Sequence, residues 1–204
     1  MEEKVKNRGE IIALVLAAGE SRRMNSPKML LPFGKKTIIE EVLENVTASR
    51  ADRTIVVIGS SADKVTDLAG NYTVTVCYND NYKQGMLSSV WCGYNNLPEV
   101  YGAAIIFLGD QPMIKTAVID SLIDKYNKEN GGIIVPVCKG RRGHPILIGY
   151  KYHREVMDLD PGKGLRELTS RFPDDVHEVE ITAPEILKDI DTLEDYLKEI
   201  NQNN

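Results

Sequence analysis

The chain has 204 residues, of which 42% are hydrophobic and 27% are charged, a composition that excludes collagenous, disordered and membrane-spanning proteins. Its 30 acidic and 25 basic residues give a formal net charge of -5, which argues against binding to nucleic acid or to an anionic membrane surface. A chain of this length buries enough apolar surface to fold without disulfides. Its length is also close to the usual size of one domain, so residues 1–204 are expected to form a single domain.

The N-terminal segment and the cysteines predict a cytoplasmic protein. The first ten residues, MEEKVKNRGE, are polar and lead into the apolar run Ile11–Ala18. That run is far shorter than the about 20 residues that a membrane-spanning helix needs, and no small-residue cleavage site follows it. Cys77, Cys92 and Cys138 are odd in number and lack Cys-x-x-Cys spacing, which favours free thiols in a reducing compartment.

Short β-branched and apolar runs alternate with segments of helical period along the chain. This pattern predicts a Rossmann-like α/β fold, a three-layer sandwich in which helices cover a mostly parallel sheet. The predicted strands are Ile11–Leu16, Thr54–Ile58, Val74–Cys77, Ala103–Leu108, Ile133–Val137 and Ile146–Ile148. The first and the fourth are apolar at every position, so we expect them at the middle of the sheet with both faces covered.

Between these strands, two amphipathic segments predict helices that pack on the sheet. The expected buried positions are Ile38, Ile39, Val42, Leu43 and Val46 in one, and Val118, Ile119, Leu122, Ile123 and Tyr126 in the other. After Pro145 a Gly/Pro-rich stretch indicates an excursion over one edge of the sheet. A final helix is predicted over residues 193–200, with Thr192 as its N-cap.

The loop that follows the first strand carries the strongest indication of function, because ligands of open α/β sheets bind beyond the carboxyl ends of the strands. It reads LAAGESRRMNSPK over residues 16–28. Small residues let the backbone approach a ligand and Arg23 and Lys28 supply positive charge, so the loop predicts a polyphosphate site. A G-x-G-x-x-G turn is excluded because Gly19 stands alone. A Walker A loop, G-x-x-x-x-G-K-[ST], is excluded because Met29 stands five residues before Gly34, where its first glycine would be needed. A solvated surface loop is the alternative.

The same string resembles the signature of nucleotidyltransferases similar to molybdenum cofactor cytidylyltransferase and guanylyltransferase, written L-A-[AG]-G-x-S-x-R-M-G-x-x-K. Asn25 replaces the usual glycine, and since asparagine tolerates a left-handed backbone, the loop is still expected to close. The resemblance implies a nucleotide-diphospho-sugar transferase-like fold, with Arg23 and Lys28 as catalytic residues. It also implies these nucleotide contacts: Leu16, Ala17, Ala18, Gly19, Ser21, Arg23 and Lys28.

Two further strings follow in the order of that family. QGMLSS over residues 84–89 resembles its segment that contacts base and ribose, which implies Gly85 and Ser89 as nucleotide contacts; a helix N-terminus capped by Ser88 is the alternative interpretation. LGDQP over residues 108–112 implies Asp110 as a metal ligand, although Gly-Asp-Gln-Pro by itself is a common turn.

The C-terminal part of the chain resembles the family less closely. DIDTLED over residues 189–195 implies Asp191 as the second metal ligand, with Asp189 in reserve. RGHP over residues 142–145 and GLR over residues 164–166 lie where the family builds its acceptor pocket, which implies His144 and Arg166 as acceptor contacts. The nucleotide-binding half is therefore expected at about 10–110 and the acceptor-binding half at about 111–204.

The resemblance implies a Mg²⁺-dependent transfer of CMP from CTP to the phosphate of molybdopterin, with release of pyrophosphate and delivery of the product to a molybdoenzyme. Ala18 favours CTP over GTP, since the family pairs LAAG with cytidylyl transfer and LAGG with guanylyl transfer. Transfer of GMP, transfer to a sugar or polyol phosphate, and a non-catalytic nucleotide or cofactor carrier remain alternatives.

Overall fold

The computed structural model describes residues 9–24, 26–129 and 131–202. The strands are β1 Ile11–Ala17, β2 Pro32–Phe33, β3 Lys36–Thr37, β4 Arg53–Ile58, β5 Thr75–Tyr78, β6 Ala103–Leu108, β7 Ile133–Cys138, β8 Arg141–Arg142, β9 Ile146–Gly149 and β10 Val176–Glu180. The α-helices are α1 Ile38–Thr47, α2 Ala62–Ala69, α3 Met86–Asn95, α4 Thr116–Glu129, α5 His153–Met157, α6 Leu165–Arg171 and α7 Leu193–Gln202. All six strands expected from the sequence form, with ends shifted by no more than one residue.

The central sheet has the order β10-β7-β9-β6-β1-β4-β5, and β8 pairs with β7. β1 runs parallel to both β4 and β6, whereas β9 is antiparallel to its neighbours β6 and β7. Every residue of β1 is buried. The prediction of a mostly parallel sheet with β1 and β6 at its middle is confirmed.

Alternate residues of β1 face two separate apolar layers, as strand geometry requires. On one face Ile11, Ala13 and Val15 pack with the buried residues of α1, α2 and α4. On the other face Ile12 and Leu14 pack with buried residues of α3, α5 and α6. These helices form the outer layers of the expected three-layer sandwich.

The helix faces expected from the sequence are the buried ones. All five apolar positions of α1 are buried, and its first turn is closed by a capping box between Thr37 and Glu40. In α4 the four aliphatic positions are buried, while Tyr126 is partly exposed and donates its hydroxyl hydrogen bond to the carbonyl of Gly102 at 2.7 Å. Thr192 caps α7 as predicted, in a reciprocal arrangement with Asp195.

The C-terminal segment differs from the expected excursion over the sheet edge. After α5 and α6 the chain returns to the sheet and adds β10 as an edge strand, parallel to β7. Its sequence VHEVE has three polar residues among its five, and none of the five is fully buried. A half-exposed edge strand of this kind lacks the apolar run by which the central strands were predicted.

The three cysteines are free thiols, as the sequence predicted. The fold nevertheless brings the Sγ atoms of Cys77 and Cys92 to 3.8 Å from each other, a proximity that their separation along the chain does not indicate. Burial raises the pKa of Cys77 to about 12, so this thiol stays protonated at neutral pH. Within the described ranges, no helix is long and apolar enough to cross a bilayer.

Candidate active site

The carboxyl ends of β1 and β6 meet at a close backbone contact that positions the site. The Gly109 amide, just after β6, donates to the carbonyl of Leu16 near the end of β1 at 3.0 Å. A β-carbon at Gly109 would lie 2.9 Å from that carbonyl oxygen, so only glycine fits here without displacement. This contact places Asp110, the next residue, beside the loop that leaves β1.

Four charged side chains from three distant segments meet beyond these strand ends. The Lys28 Nζ atom lies 2.5 Å from Oδ2 of Asp110 and 3.0 Å from Oδ1 of Asp191. Arg23 Nη1 donates to Oδ2 of Asp191 at 2.5 Å. The amide of Ile190 donates to the carbonyl of Asp110 at 3.1 Å, which fixes the C-terminal segment against the β6 end. We call Arg23, Lys28, Asp110 and Asp191 the charged cluster.

Burial and the neighbouring charges shift the pKa values of Lys28 and Asp191 in opposite directions. Burial alone would lower the pKa of Lys28, but the charges and hydrogen bonds of Asp110 and Asp191 outweigh it and raise that pKa. Burial would raise the pKa of Asp191, but hydrogen bonds from Lys28 and Arg23 lower it. The lysine is therefore cationic and Asp191 anionic at neutral pH. The pKa of Asp189 is raised by burial and by the charges of Asp191 and Asp110.

The loop after β1 closes through Ser21. Ser21 has a left-handed backbone with φ of 52°, and its Oγ accepts a hydrogen bond from the Lys28 amide at 3.0 Å. Arg22 pairs with Glu20 and its side chain is 73% exposed, whereas Arg23 reaches the charged cluster. The loop thus separates two adjacent arginines by role, as the resemblance implied. Asn25, expected to adopt the left-handed turn, lies outside the described residues.

A first cavity of about 560 Å³ lies between this loop and the start of α3. Of the residues predicted to bind nucleotide or metal, these line it: Leu16, Ala18, Gly19, Ser21, Arg23, Lys28, Gly85, Ser89, Asp110 and Asp191. Ala17 does not, because it is the last residue of β1 and its side chain is buried in the core that faces α1. The predicted nucleotide contact of Ala17 stays a prediction, and its side chain is turned away from the cavity.

The start of α3 is organised by a buried asparagine that no motif indicated. Gly85 is the N-cap of α3, so the alternative that Ser88 caps this helix is wrong. Asn79 donates from Nδ2 to the hydroxyls of Ser88 at 2.9 Å and Ser89 at 3.0 Å, and it is 3% exposed. Asn79 therefore holds Ser89 at the wall of the first cavity.

Tyr82 and Lys83 are among the lining residues of the first cavity that no sequence string indicated. A β-carbon at Gly59, which follows β4, would lie 2.7 Å from the Tyr82 Cβ and 2.9 Å from the Ala18 Cβ. Gly59 therefore lets Tyr82 and the loop after β1 approach each other. Tyr82 and Lys83 lie outside the matched strings, so only the fold shows that they belong to the first cavity.

A second cavity of about 520 Å³ contains both predicted acceptor residues, His144 and Arg166. The pKa of His144 is lowered, mainly by burial. The charge of Asp189 raises this pKa and the charge of Arg166 lowers it further, and the imidazole is neutral at pH 7. The loop that carries it is held by the His144 amide, which donates to the Ile186 carbonyl at 3.0 Å. Leu108 and Asp189 line both cavities, so the two spaces adjoin at these residues.

The donors beside the first cavity fit a hard divalent cation. Asp110 Oδ1 is buried and has no hydrogen-bond partner in the described structure, and an orphaned carboxylate oxygen is a costly group without a ligand. Asp191 and Asp189 line the same cavity and offer further carboxylate oxygens. Over the described ranges no group of three or more His, Cys, Asp or Glu side chains is arranged to hold a metal. Mg²⁺ suits such a site, since it takes few carboxylates and completes its shell with water and substrate phosphates.

Comparisons with known proteins agree with this geometry. The chain is 29% identical over 188 residues to the molybdenum cofactor cytidylyltransferase of Escherichia coli K12, covering 92% of this chain and 94% of that protein. It is 35% identical over 140 residues to the bifunctional protein GlmU of Staphylococcus saprophyticus, covering 67% of this chain and 30% of that protein. The crystal structure of Rv0371c from Mycobacterium tuberculosis has a TM-score of 0.85 at 25% identity, covering 95% of this chain and 98% of that one.

The family assignment rests on a match over most of the chain. The family model of the MobA-like NTP transferase domain matches residues 13–176, a range that includes the loop after β1, the start of α3 and Asp110. The chain therefore belongs to the family of MobA-like NTP transferase domains and is a nucleotidyltransferase.

Proposed function

We propose that the protein transfers CMP from CTP to the phosphate of a molybdopterin-type acceptor, with release of pyrophosphate and with Mg²⁺ as the metal. The observation that carries this proposal is the pair of adjoining cavities, with the charged cluster beside the first and Leu108 and Asp189 common to both. A transferase needs two substrates side by side, with counter-charge where phosphate groups meet. This arrangement supplies both.

The first cavity is suited to the nucleoside triphosphate. The backbone of the loop after β1 turns beside it, and Arg23 and Lys28 place positive charge at its wall. Lys28 is held by two carboxylates, so its ammonium group is fixed before a substrate arrives. Preorganised charge of this kind stabilises the negative charge that develops during phosphoryl or nucleotidyl transfer.

Asp110 and Asp191 would hold the metal, which supplies positive charge to the phosphate groups of the nucleotide. The unpartnered Oδ1 of Asp110 supports this assignment. Asp189 lies two residues from Asp191 and lines both cavities. It remains the reserve ligand.

The second cavity is suited to the acceptor, whose phosphate would meet the nucleotide where the cavities adjoin. A phosphate monoester has a second pKa of about 6, so the acceptor is mostly a dianion at neutral pH and needs no general base. The lowered pKa of His144 agrees with this, because a neutral buried imidazole serves as a hydrogen-bonding group and not as a counter-charge. Arg166 supplies positive charge to this cavity, together with Arg141 and Arg142 in its wall.

Similarity to the E. coli molybdenum cofactor cytidylyltransferase over 92% of this chain favours a molybdopterin-type acceptor. The match to GlmU covers less of the chain and keeps a sugar or polyol phosphate as the second candidate. A non-catalytic carrier would not require an ion-paired lysine between two aspartates beside the nucleotide cavity. The charged cluster therefore favours catalysis over carriage.

The proposal is tested by an assay of Mg²⁺-dependent pyrophosphate release. Each of the four nucleoside triphosphates is supplied with molybdopterin, with a sugar phosphate, or with no acceptor. We expect release that requires molybdopterin and is fastest with CTP. Release that follows the sugar phosphate instead would establish the second candidate, and no release with any pair would favour a carrier.

We expect Arg166→Ala to weaken acceptor binding while leaving CTP binding nearly intact. Arg166 lines the second cavity only, and loss of a charge-assisted hydrogen bond to a phosphate costs about 10- to 100-fold in affinity. Calorimetric titrations with CTP and then with the acceptor measure the two affinities separately. An equal loss for both ligands would show that Arg166 contacts the nucleotide.

We expect Ala18→Gly to raise the use of GTP without converting the enzyme fully. Ala18 lines the first cavity, and its methyl group narrows the space available to a base, so its removal should admit a purine more easily. Exclusion by size is worth about 10- to 200-fold in kcat/KM at most. The ratio of kcat/KM for CTP to that for GTP, in wild type and variant, checks this expectation. A wild-type ratio below one would contradict the assignment of CTP and leave the nucleotidyltransferase assignment intact.

A further inference from the structure

Gln111 is a buried polar residue in the wall of the second cavity. It follows Asp110 in the turn after β6, where its amide donates to the Leu108 carbonyl and its carbonyl accepts from the Ile114 amide, both at 3.3 Å. The residue is 6% exposed. Its backbone is thus fixed by the same turn that positions Asp110.

The side-chain carboxamide of Gln111 makes no hydrogen bond with any described residue. A carboxamide without a protein partner keeps both its donor and its acceptor available to a ligand. Neither its oxygen nor its nitrogen is fully enclosed, because the only enclosed polar atoms without partners in the described ranges belong to Tyr94, Asp110 and Glu155. The carboxamide therefore has access to open space.

Gln111 lines two cavities, the second cavity and a small one of about 10 Å³. The other residues of the small cavity, among them Val42, Val46 and Ile119, are all apolar, and this space is too small for anything larger than a water molecule. The second cavity is large enough for a ligand, and Gln111 lines it together with His144 and Arg166. An organic ligand would therefore reach the carboxamide from the second cavity.

Part of the wall of the second cavity is aliphatic. Leu108, Val135, Ile146 and Leu165 form this part, and the last three are at most 6% exposed, while Thr169 and Ser170 are among the polar residues of the same wall. An aliphatic surface of this kind suits the face of a flat ring. A carboxamide presents one donor and one acceptor side by side and pairs with a ring edge that presents the complementary set.

We propose that Gln111 is a specificity-determining residue for the acceptor, and that it pairs through its carboxamide with a planar heterocycle that carries a hydrogen-bond donor next to an acceptor, such as the aminopyrimidinone edge of a pterin. This inference rests on the proposed function, because it assigns the second cavity to the acceptor. It adds that the acceptor is selected by its ring as well as by its phosphate.

The test compares binding by wild type, Gln111→Leu and Gln111→Met in calorimetric titrations. Leucine has a similar volume without polar atoms, and methionine keeps the unbranched shape but loses the donor and the acceptor without adding a charge. Neopterin monophosphate is the probe with a pterin ring, glycerol 3-phosphate is the probe without a ring, and CTP reports on the first cavity. Thermal unfolding of each variant establishes that it is folded.

We expect both variants to bind neopterin monophosphate about 10- to 100-fold more weakly than wild type, since the ring edge would lose a buried partner. Affinities for glycerol 3-phosphate and CTP should stay unchanged. The matched control is Thr169→Val, in the same cavity wall, where the hydroxyl already donates to the Arg166 carbonyl. Its affinity for neopterin monophosphate should stay within about twofold of wild type.

Two negative results have different meanings. If wild type binds neopterin monophosphate and both Gln111 variants bind it equally well, the assignment of Gln111 is overturned and the proposed function stands. If wild type prefers glycerol 3-phosphate or does not bind the pterin, the acceptor class is wrong and the inference falls with it. A parallel loss of CTP affinity in the variants would place Gln111 in the nucleotide site and would also overturn the assignment.

Discussion

Asp110→Asn is expected to abolish turnover in a protein that still folds. The substitution conserves volume and keeps an oxygen beside Lys28, but it removes the charge of a carboxylate whose Oδ1 is buried without a partner. The loss should reach about 10³-fold or more, the upper end of what a single preorganised charge contributes to the rate. Pyrophosphate release at saturating Mg²⁺ measures it, and the thermal unfolding midpoint reports on folding.

Matched changes at the other two aspartates give this experiment its control. Asp191→Asn should cause a loss of similar size, whereas Asp189→Asn should cause a much smaller one, because Asp189 is not ion-paired within the charged cluster. The opposite order would make Asp189 the second ligand. Wild-type turnover by Asp110→Asn would mean that Asp110 is only a turn residue and that the metal assignment is wrong.

Lys28→Ala is expected to slow the chemical step by about 10²-fold or more, as for loss of a preorganised positive charge at a developing anion. It should also lower the free energy of unfolding, because Lys28 is 8% exposed and its removal leaves Asp110 and Asp191 without their shared counter-charge. About 3 kcal/mol, the lower end for breaking a buried ion pair, is the expected loss. Single-turnover kinetics and denaturant unfolding measure the two effects.

The two adjacent arginines serve as the comparison for Lys28. Arg23→Ala should also slow the chemical step by about 10²-fold, since Arg23 contacts Asp191 beside the nucleotide cavity. Its side chain is 70% exposed, so its loss should cost little stability. Arg22→Ala should have a small effect on both, because Arg22 pairs with Glu20. Equal losses at Arg22 and Arg23 would show a diffuse basic patch instead of a defined cluster.

The central part of the fold could be predicted because its signals are local. IIALVLA and AAIIFL are apolar throughout, and this pattern requires cover on both faces and a central position. The antiparallel direction of β9 could not be predicted, because a four-residue apolar strand reads the same in either direction. β10 was missed because its largely polar, half-exposed sequence carries no apolar run, and it pairs with β7 at the sheet edge.

For the site, the matched strings identified residues but not their contacts. Lys28 and Asp191 are 163 residues apart, and only the fold shows that one ammonium group bridges Asp110 and Asp191. Tyr82 and Lys83, which line the first cavity, were missed because their segment carries no motif. Asn79, which holds Ser89 at that cavity, was missed for the same reason. A sequence string also does not show that the Ala17 side chain faces the core.

The central claim is that CMP is transferred from CTP to the acceptor. Its most direct test is a single turnover of CTP labelled with ³²P at the α-phosphate, in the presence of molybdopterin and Mg²⁺. If the two cavities hold the nucleotide and the acceptor as proposed, the label appears in a product whose mass equals that of the acceptor plus a CMP unit, and Asp110→Asn forms none of it. Transfer to this acceptor would be contradicted if the label were recovered only as free CMP. It would also be contradicted if the label stayed in CTP although wild-type protein and molybdopterin were both present and active.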